Sequence, residues 1–162
     1  MLDRYFKKPI FWDYFISLLL TCGITYLVER YGISVPKDDV ITSLLSDLGT
    51  ISFTLCGFIL TLLTVLISFK STSKKDVSVE TDSLYEIFFS TSLYFETVRH
   101  LKNAIISLGV IGVIDYSLKL ALDPKHRLYA YAFNIFTLLI IFLTLCRCLI
   151  ILSKIIKIQR GS

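Results

Sequence analysis

TISFTLCGFILTLLTVLISFKS, residues 50–71, decides how this chain is read. The stretch is apolar and long enough to cross the roughly 30 Å hydrocarbon core of a bilayer, which takes about 20 helical residues. Yet a small or hydroxyl-bearing residue returns at Thr50, Thr54, Gly57, Thr61, Thr64, Ser68 and Ser71, in alternating steps of four and three. On a helix such steps fall along one line. The line is either a seam against a neighbouring helix, of this chain or of another copy, or the wall of a pore. Small residues are the usual means by which membrane helices approach closely, whereas a ring of Thr and Gly makes a weakly polar conduit. Thr50, Thr54, Gly57, Thr61, Thr64 and Ser68 therefore read first as helix packing and second as pore lining. A pore would require several copies of this helix around one axis, because one bundle of this size has no room for a wet channel.

Working outward, three more runs match the first in length and apolarity. The four expected spans are Pro9–Val28, Leu48–Phe69, Leu101–Leu122 and Leu128–Leu152. With 54% apolar and 19% charged residues among 162, a soluble domain could not hide its apolar surface. Membrane strands alternate over about 10 residues, and these runs do not alternate. The fold class is all-α: a polytopic membrane protein of four transmembrane helices forming one domain. The first run follows Arg4, Lys7 and Lys8 as a signal peptide would. It carries Asp13, however, and lacks a small-residue cleavage site before TYLVER, so it is expected to persist as the first helix.

The distribution of Lys and Arg orients the chain. Arg4, Lys7, Lys8, Lys70, Lys74, Lys75, Arg99, Lys102, Lys154, Lys157 and Arg160 fall on one side, against Arg30, Lys37, Lys119, Lys125 and Arg127 on the other. Positive-inside bias then places both termini and residues 70–100 in the cytoplasm. The outer loop ERYGISVPKDDVITSLLSD is long enough for a short helix after Pro36, capped by Asp38 or Asp39. The link DPKHR is a tight turn, making helices three and four an antiparallel hairpin.

In the cytoplasmic segment, a polar KSTSKKDVSVETD precedes a stretch free of Gly and Pro, with Asp82 or Ser83 as cap and Glu86 completing a capping box. Helix three is expected to begin near Leu84 and project beyond the membrane. Leu84, Ile87, Phe88, Tyr94, Phe95 and Val98 would share a broad face of that extension, suited to the headgroup layer, another subunit or a partner protein.

Charges within apolar spans are costly and normally find partners. Asp13 and Arg147 lie near the same boundary and are expected to pair; a gate or an anionic-lipid contact is the functional alternative. Asp115, Lys119 and Asn134 lie toward the opposite boundary and could form one network closing the hairpin, or an ion-binding or proton-responsive site. Asp13, Ser17, Thr21 and Thr25 recur at steps of four, and Gly109 and Gly112 mark helix three for close approach. Cys22, Cys56, Cys146 and Cys148 all sit in apolar runs, without disulfide or zinc spacing. His100 and His126 stand alone, and no nucleophile elbow, phosphate-cradling loop or metal-protease motif occurs. Neither catalysis, nor a cofactor or metal, nor direct nucleic-acid binding is expected.

A short basic amino end, an outer loop, a second helix introduced by LLSDLGTISFTLCGFILTLLTVLISF, a basic cytoplasmic loop and a helical hairpin together resemble small four-span membrane proteins of bacterial anti-phage systems. The resemblance is to the KwaA proteins of the Kiwa system and, more distantly, to RexB-type exclusion proteins. It covers the whole chain in architecture, centres on LGTIS and the small-residue helix after it, and assigns no residue a role. A KwaA-like protein would be an inner-membrane, homo-oligomeric sensor or scaffold that responds to phage and works with a cytoplasmic effector. A RexB-like protein would conduct ions and depolarise the cell.

Overall fold

A computed structural model describes residues 9–73, 92–121 and 126–160. The described residues form four helices, α1 (Pro9–Tyr31), α2 (Asp38–Ser73), α3 (Ser92–Ala121) and α4 (Arg127–Arg160), each long and apolar enough to cross a membrane. The chain is an all-α multi-pass membrane protein. Successive helices run antiparallel, so the α1–α2 loop and the α3–α4 link share one end of the bundle, the loop end. The starts of α1 and α3 lie at the opposite, base end.

Local chemistry sets the helix limits. After Tyr31, Gly32 adopts φ +61° and the chain leaves α1 through paired backbone bonds, Gly32 N–H to Glu29 O at 3.3 Å and Ile33 N–H to Val28 O at 3.0 Å. This is the glycine-terminated helix end that satisfies otherwise orphaned carbonyls. The expected short helix after Pro36 and the second span are one continuous helix. Ile41 N–H already donates to Lys37 O at 3.1 Å, so Asp38 and Asp39 occupy the first turn rather than the cap, favourably placed at the positive end of the helix dipole. Nothing in VITSLLSDLGT interrupts the helix, because Gly49, the weakest helix former there, is held by packing. The expected helix-three start near Leu84 lies outside the described residues, together with Ile87 and Phe88.

The most extensive contact is α2 against α3, not α3 against α4. The short link makes α3 and α4 consecutive; glycines make α2 and α3 close. A Cβ built on Gly49 would lie 2.9 Å from the Tyr116 ring, and one on Gly112 would lie 3.1 Å from the Phe53 ring. Those two rings stack at 6.1 Å, and Thr50 and Tyr116 share a hydrogen bond of 2.8 Å between their hydroxyls. Gly109, by contrast, has only the Cys56 sulfur at 4.0 Å. Lower in the pair, Leu48, Ile59, Leu101, Ala104 and Leu108 form an apolar core with Ile141 of α4. The inward stripe of α3 runs without a break through Tyr94, Thr97, Leu101, Ala104, Leu108, Ile111 and Asp115, all buried. α1 is peripheral and packs chiefly on α4.

At the loop end Arg127 binds the α1–α2 loop to α4. Its guanidinium donates to Val35 O at 2.6 Å and to Pro36 O at 2.6 Å, and pairs with Asp38 at 3.2 Å. The exterior is dominated by large apolar residues, as expected of a surface whose solvent is lipid. Near the base of α1, the exposed rings of Phe11, Trp12 and Phe15 cluster with centroids 6.2–6.3 Å apart, in the manner of residues at a membrane boundary.

Candidate functional site

Among the described residues, the interior is nearly as rich in polar as in apolar side chains. Two polar centres can be distinguished, separated along α4 by about 15 Å at 1.5 Å per residue.

The first joins α1 to α4. Asp13 and Arg147, each 1% exposed, form an ion pair in which Arg147 Nη1 donates to Asp13 Oδ2. The polar line of α1 explains the placement: Asp13, Ser17 and Thr21 recur every four residues and are all buried on one side. The pair cancels its own charge, which a lipid-surrounded interior demands. Among the described residues, the Nε and Nη2 donors of Arg147 have no hydrogen-bond partner, nor do the Ser17, Thr21 and Thr144 hydroxyls. Nearby, Tyr14 and Ser107 link α1 to α3 by a hydroxyl–hydroxyl bond of 3.1 Å.

The second centre joins α2, α3 and α4 toward the loop end. Thr137 Oγ1 donates to Asp115 Oδ1 at 3.0 Å, and Asn134 Nδ2 donates to the Ile41 carbonyl at 3.1 Å. Lys119 does not join Asp115. It is exposed and turns to Ser46 Oγ of α2. The single Asp115–Lys119–Asn134 network expected from spacing is thus three separate contacts. Asp115 faces the bundle interior, whereas a residue four positions on, near the helix end, has rotated toward α2's flank and the surface. Between the two centres along their own helices lie Leu108, Ile111, Ile140 and Ile141, each at most 5% exposed.

The small-residue stripe of α2 lies elsewhere. Thr50, Thr54, Gly57, Thr61, Thr64 and Ser68 are all exposed, and a Cβ added at Gly57 would meet nothing within 4 Å. Beyond Thr50, whose hydroxyl meets Tyr116 of α3, the stripe is therefore not a seam between the described helices of one chain. The face that packs inward is Ile41, Leu45, Leu48, Ser52 and Ile59, which stands across the helix from it. The outward hydroxyls are satisfied locally: Thr54, Thr61 and Thr64 donate to the carbonyls of Thr50, Gly57 and Leu60 at 2.8, 3.0 and 2.9 Å. Such backbone bonding lets a threonine face lipid or another helix without an unmet donor.

Of the expected partner-binding face, Leu84, Ile87 and Phe88 lie outside the described residues. Tyr94 is turned into the bundle at 5% exposure, Phe95 points outward at 62%, and Val98 is half-buried. Of the three described positions, Tyr94 and Phe95 do not share one outward face, because Tyr94 heads the inward stripe of α3. No sequence pattern marks the contacts that Ser52, Tyr14, Arg127 and Thr137 make. The available signal for Thr137 is its spacing from Asn134, Thr144 and Arg147, which traces a polar line within an apolar span.

Among the described residues, no group of three or more His, Cys, Asp or Glu could hold a metal ion, and the four cysteines are free. In comparisons with protein-family models, curated proteins and solved structures, nothing matches this chain.

Proposed function

We propose that the protein is an inner-membrane component of a bacterial anti-phage system, an oligomeric sensor and scaffold whose base end is cytoplasmic and works with a soluble effector. The family resemblance supplies the biological setting. The observation that favours a self-associating scaffold is the outward position of the α2 stripe, beside a bundle whose interior is filled from the opposite face of the same helix. A flank of glycine and self-bonded threonines lets a second helix approach closely without stranding polar groups. Phe95, exposed near the base of α3, supports the assignment of effector contact to that end.

Two measurements test the reading. The mass of the complex solubilised from its native host should correspond to several copies, and Gly57→Phe should reduce it to one. Phe88→Ser with Phe95→Ser should abolish co-purification of the effector while leaving that mass unchanged; capture unaffected by the double substitution removes the effector arm. The second reading, an ion-conducting oligomer, draws on the same outward threonines, which would line an axis if the copies met there. Under that reading wild-type protein in liposomes passes ions and Thr61→Phe blocks the flux. Wild-type liposomes that remain tight under every phage-derived trigger eliminate it.

A further inference from the structure

We propose that the groove between α1 and α4 holds one acyl chain of a zwitterionic, ammonium-bearing phospholipid, whose headgroup is read by Glu29 and Arg30 at the loop end. The groove has a volume of about 520 Å³ and lies open on the exterior, between two helices long and apolar enough to cross a membrane. That size and a mainly apolar wall are those of ligand sites between the helices of bundles. Leu18, Phe133 and Phe136 line its deep end, and Tyr26, Glu29 and Tyr129 its mouth. Below Leu18, Tyr14 packs edge-on to Phe136 at 5.9 Å and joins the two helices.

Its position and its charges name the occupant. Along α1 the groove runs from Leu18, near the middle of the helix, to Glu29 in the last turn, about 16 Å at 1.5 Å per residue. One leaflet supplies about half of the roughly 30 Å hydrocarbon core. The groove thus has the length of an acyl chain in the loop-end leaflet, and its mouth reaches headgroup level, where the exposed rings of Tyr26 and Tyr129 suit the boundary. Bulk lipid tails are as apolar as the groove wall, so the chain alone gains little and selection falls to the headgroup. Two opposite charges stand there. Glu29 lines the mouth, and Arg30 Nη1 donates to the Tyr26 hydroxyl at 3.1 Å, which holds the guanidinium beside the same opening. Arg127, at the start of α4, is committed to Asp38 and to the Val35 and Pro36 carbonyls. A phosphate meets Arg30 and a primary ammonium meets Glu29, each through a charge-assisted hydrogen bond. An anionic phospholipid would satisfy Arg30 and set a like charge beside Glu29, and a choline headgroup has no N–H to donate. The inference does not depend on self-association or an effector.

Native mass spectrometry tests it, on protein released from bilayers of equimolar phosphatidylethanolamine, phosphatidylcholine and phosphatidylglycerol with identical chains. The expected result is one retained lipid per chain, with phosphatidylethanolamine favoured over phosphatidylglycerol by about tenfold, the equivalent of one charge-assisted contact. Glu29→Gln should bring that ratio close to one. Ala132→Trp, which fills the groove from its α4 wall, should remove the retained lipid. Should that bulkier variant fail to fold, Glu29→Gln, at an exposed position in the last turn of α1, still decides the matter. A preference for phosphatidylglycerol, equal retention of all three lipids, or a ratio unchanged in Glu29→Gln overturns the proposal. So does a lipid still held by folded Ala132→Trp, which would then lie outside the groove. Wild-type protein that retains no lipid also overturns it, and loss of assembly in Ala132→Trp would then assign the groove to a second copy of the chain.

Discussion

Helix α2 carries two stripes of the same period on opposite faces. Leu48, Ser52, Leu55, Ile59, Leu62 and Leu66 turn inward, buried or half-buried; Thr50, Thr54, Gly57, Thr61, Thr64 and Ser68, each two positions further on, turn outward and are exposed. Period alone cannot choose between them, since each returns at steps of four and three. The inward face prevails because α3 presents rings and apolar side chains that fill it, and because two glycines, Gly49 and Gly112, sit where opposing rings arrive. A small residue promotes contact only where the partner supplies bulk to occupy the space it leaves. Among the described residues Gly57 has no such partner.

The contrast between inward and outward positions should be largest at the buried charges. Arg147→Ala would remove the guanidinium paired with Asp13 in the interior and is expected to cost about 3–5 kcal/mol. Replacing both partners, Asp13→Leu with Arg147→Met, should recover much of that loss because no charge is stranded. Reversible unfolding in mixed detergent, analysed as a double-mutant cycle, measures both. Equal losses in the single and the double variants would show that packing around these side chains, not their charge, holds α1 to α4.

Next in size is the close approach of α2 and α3. Gly49→Ala puts a methyl group at 2.9 Å from a Tyr116 ring that is itself stacked on Phe53 and hydrogen-bonded to Thr50. Overpacking of this kind is expected to cost about 1–3 kcal/mol. Pairing it with Tyr116→Ala should restore part of the loss. A neutral Gly49→Ala, read by the same unfolding assay, would mean that the ring swings aside freely. A smaller effect belongs to Asn134→Leu, which removes the bond to the Ile41 carbonyl. Polar contacts between membrane helices average only about 0.6 kcal/mol and reach about 1.7. A loss well above that range would point to further duties for the Asn134 amide.

Much of the architecture was legible in the sequence because membrane solvent imposes it. Four apolar runs of sufficient length give four helices, and the cost of an isolated charge predicts that Asp13 and Arg147 meet, as they do. What eluded the sequence depended on neighbours. The short link correctly gives α3 and α4 as an antiparallel hairpin, but link length does not say which pair packs most extensively; the glycine-to-ring fits of α2 and α3 arise between distant residues. Lys119 sits at pairing distance from Asp115 along the helix, yet Ser46 of α2 takes its ammonium. The role of Thr137 rests on which residue of α3 faces it, and no local pattern in α4 carries that information.

The smallest expected effect on stability lies on the outward face, and for that reason it is the sharpest test of the comparison. Gly57→Leu adds a large side chain where nothing lies within 4 Å, so unfolding of the isolated chain should change by no more than about 0.5 kcal/mol. If copies of the protein meet along this stripe, the same substitution fills the space into which a second helix would settle, and the mass of the solubilised complex should fall toward that of one chain. Leu62→Ala, on the half-buried opposite side, should behave in reverse, loosening the bundle while leaving association intact. Mass photometry in nanodiscs separates the two results. An unaltered assembly in Gly57→Leu would assign the outward stripe to lipid alone, with its threonines bonded to their own backbone and its glycine a gap that no protein fills.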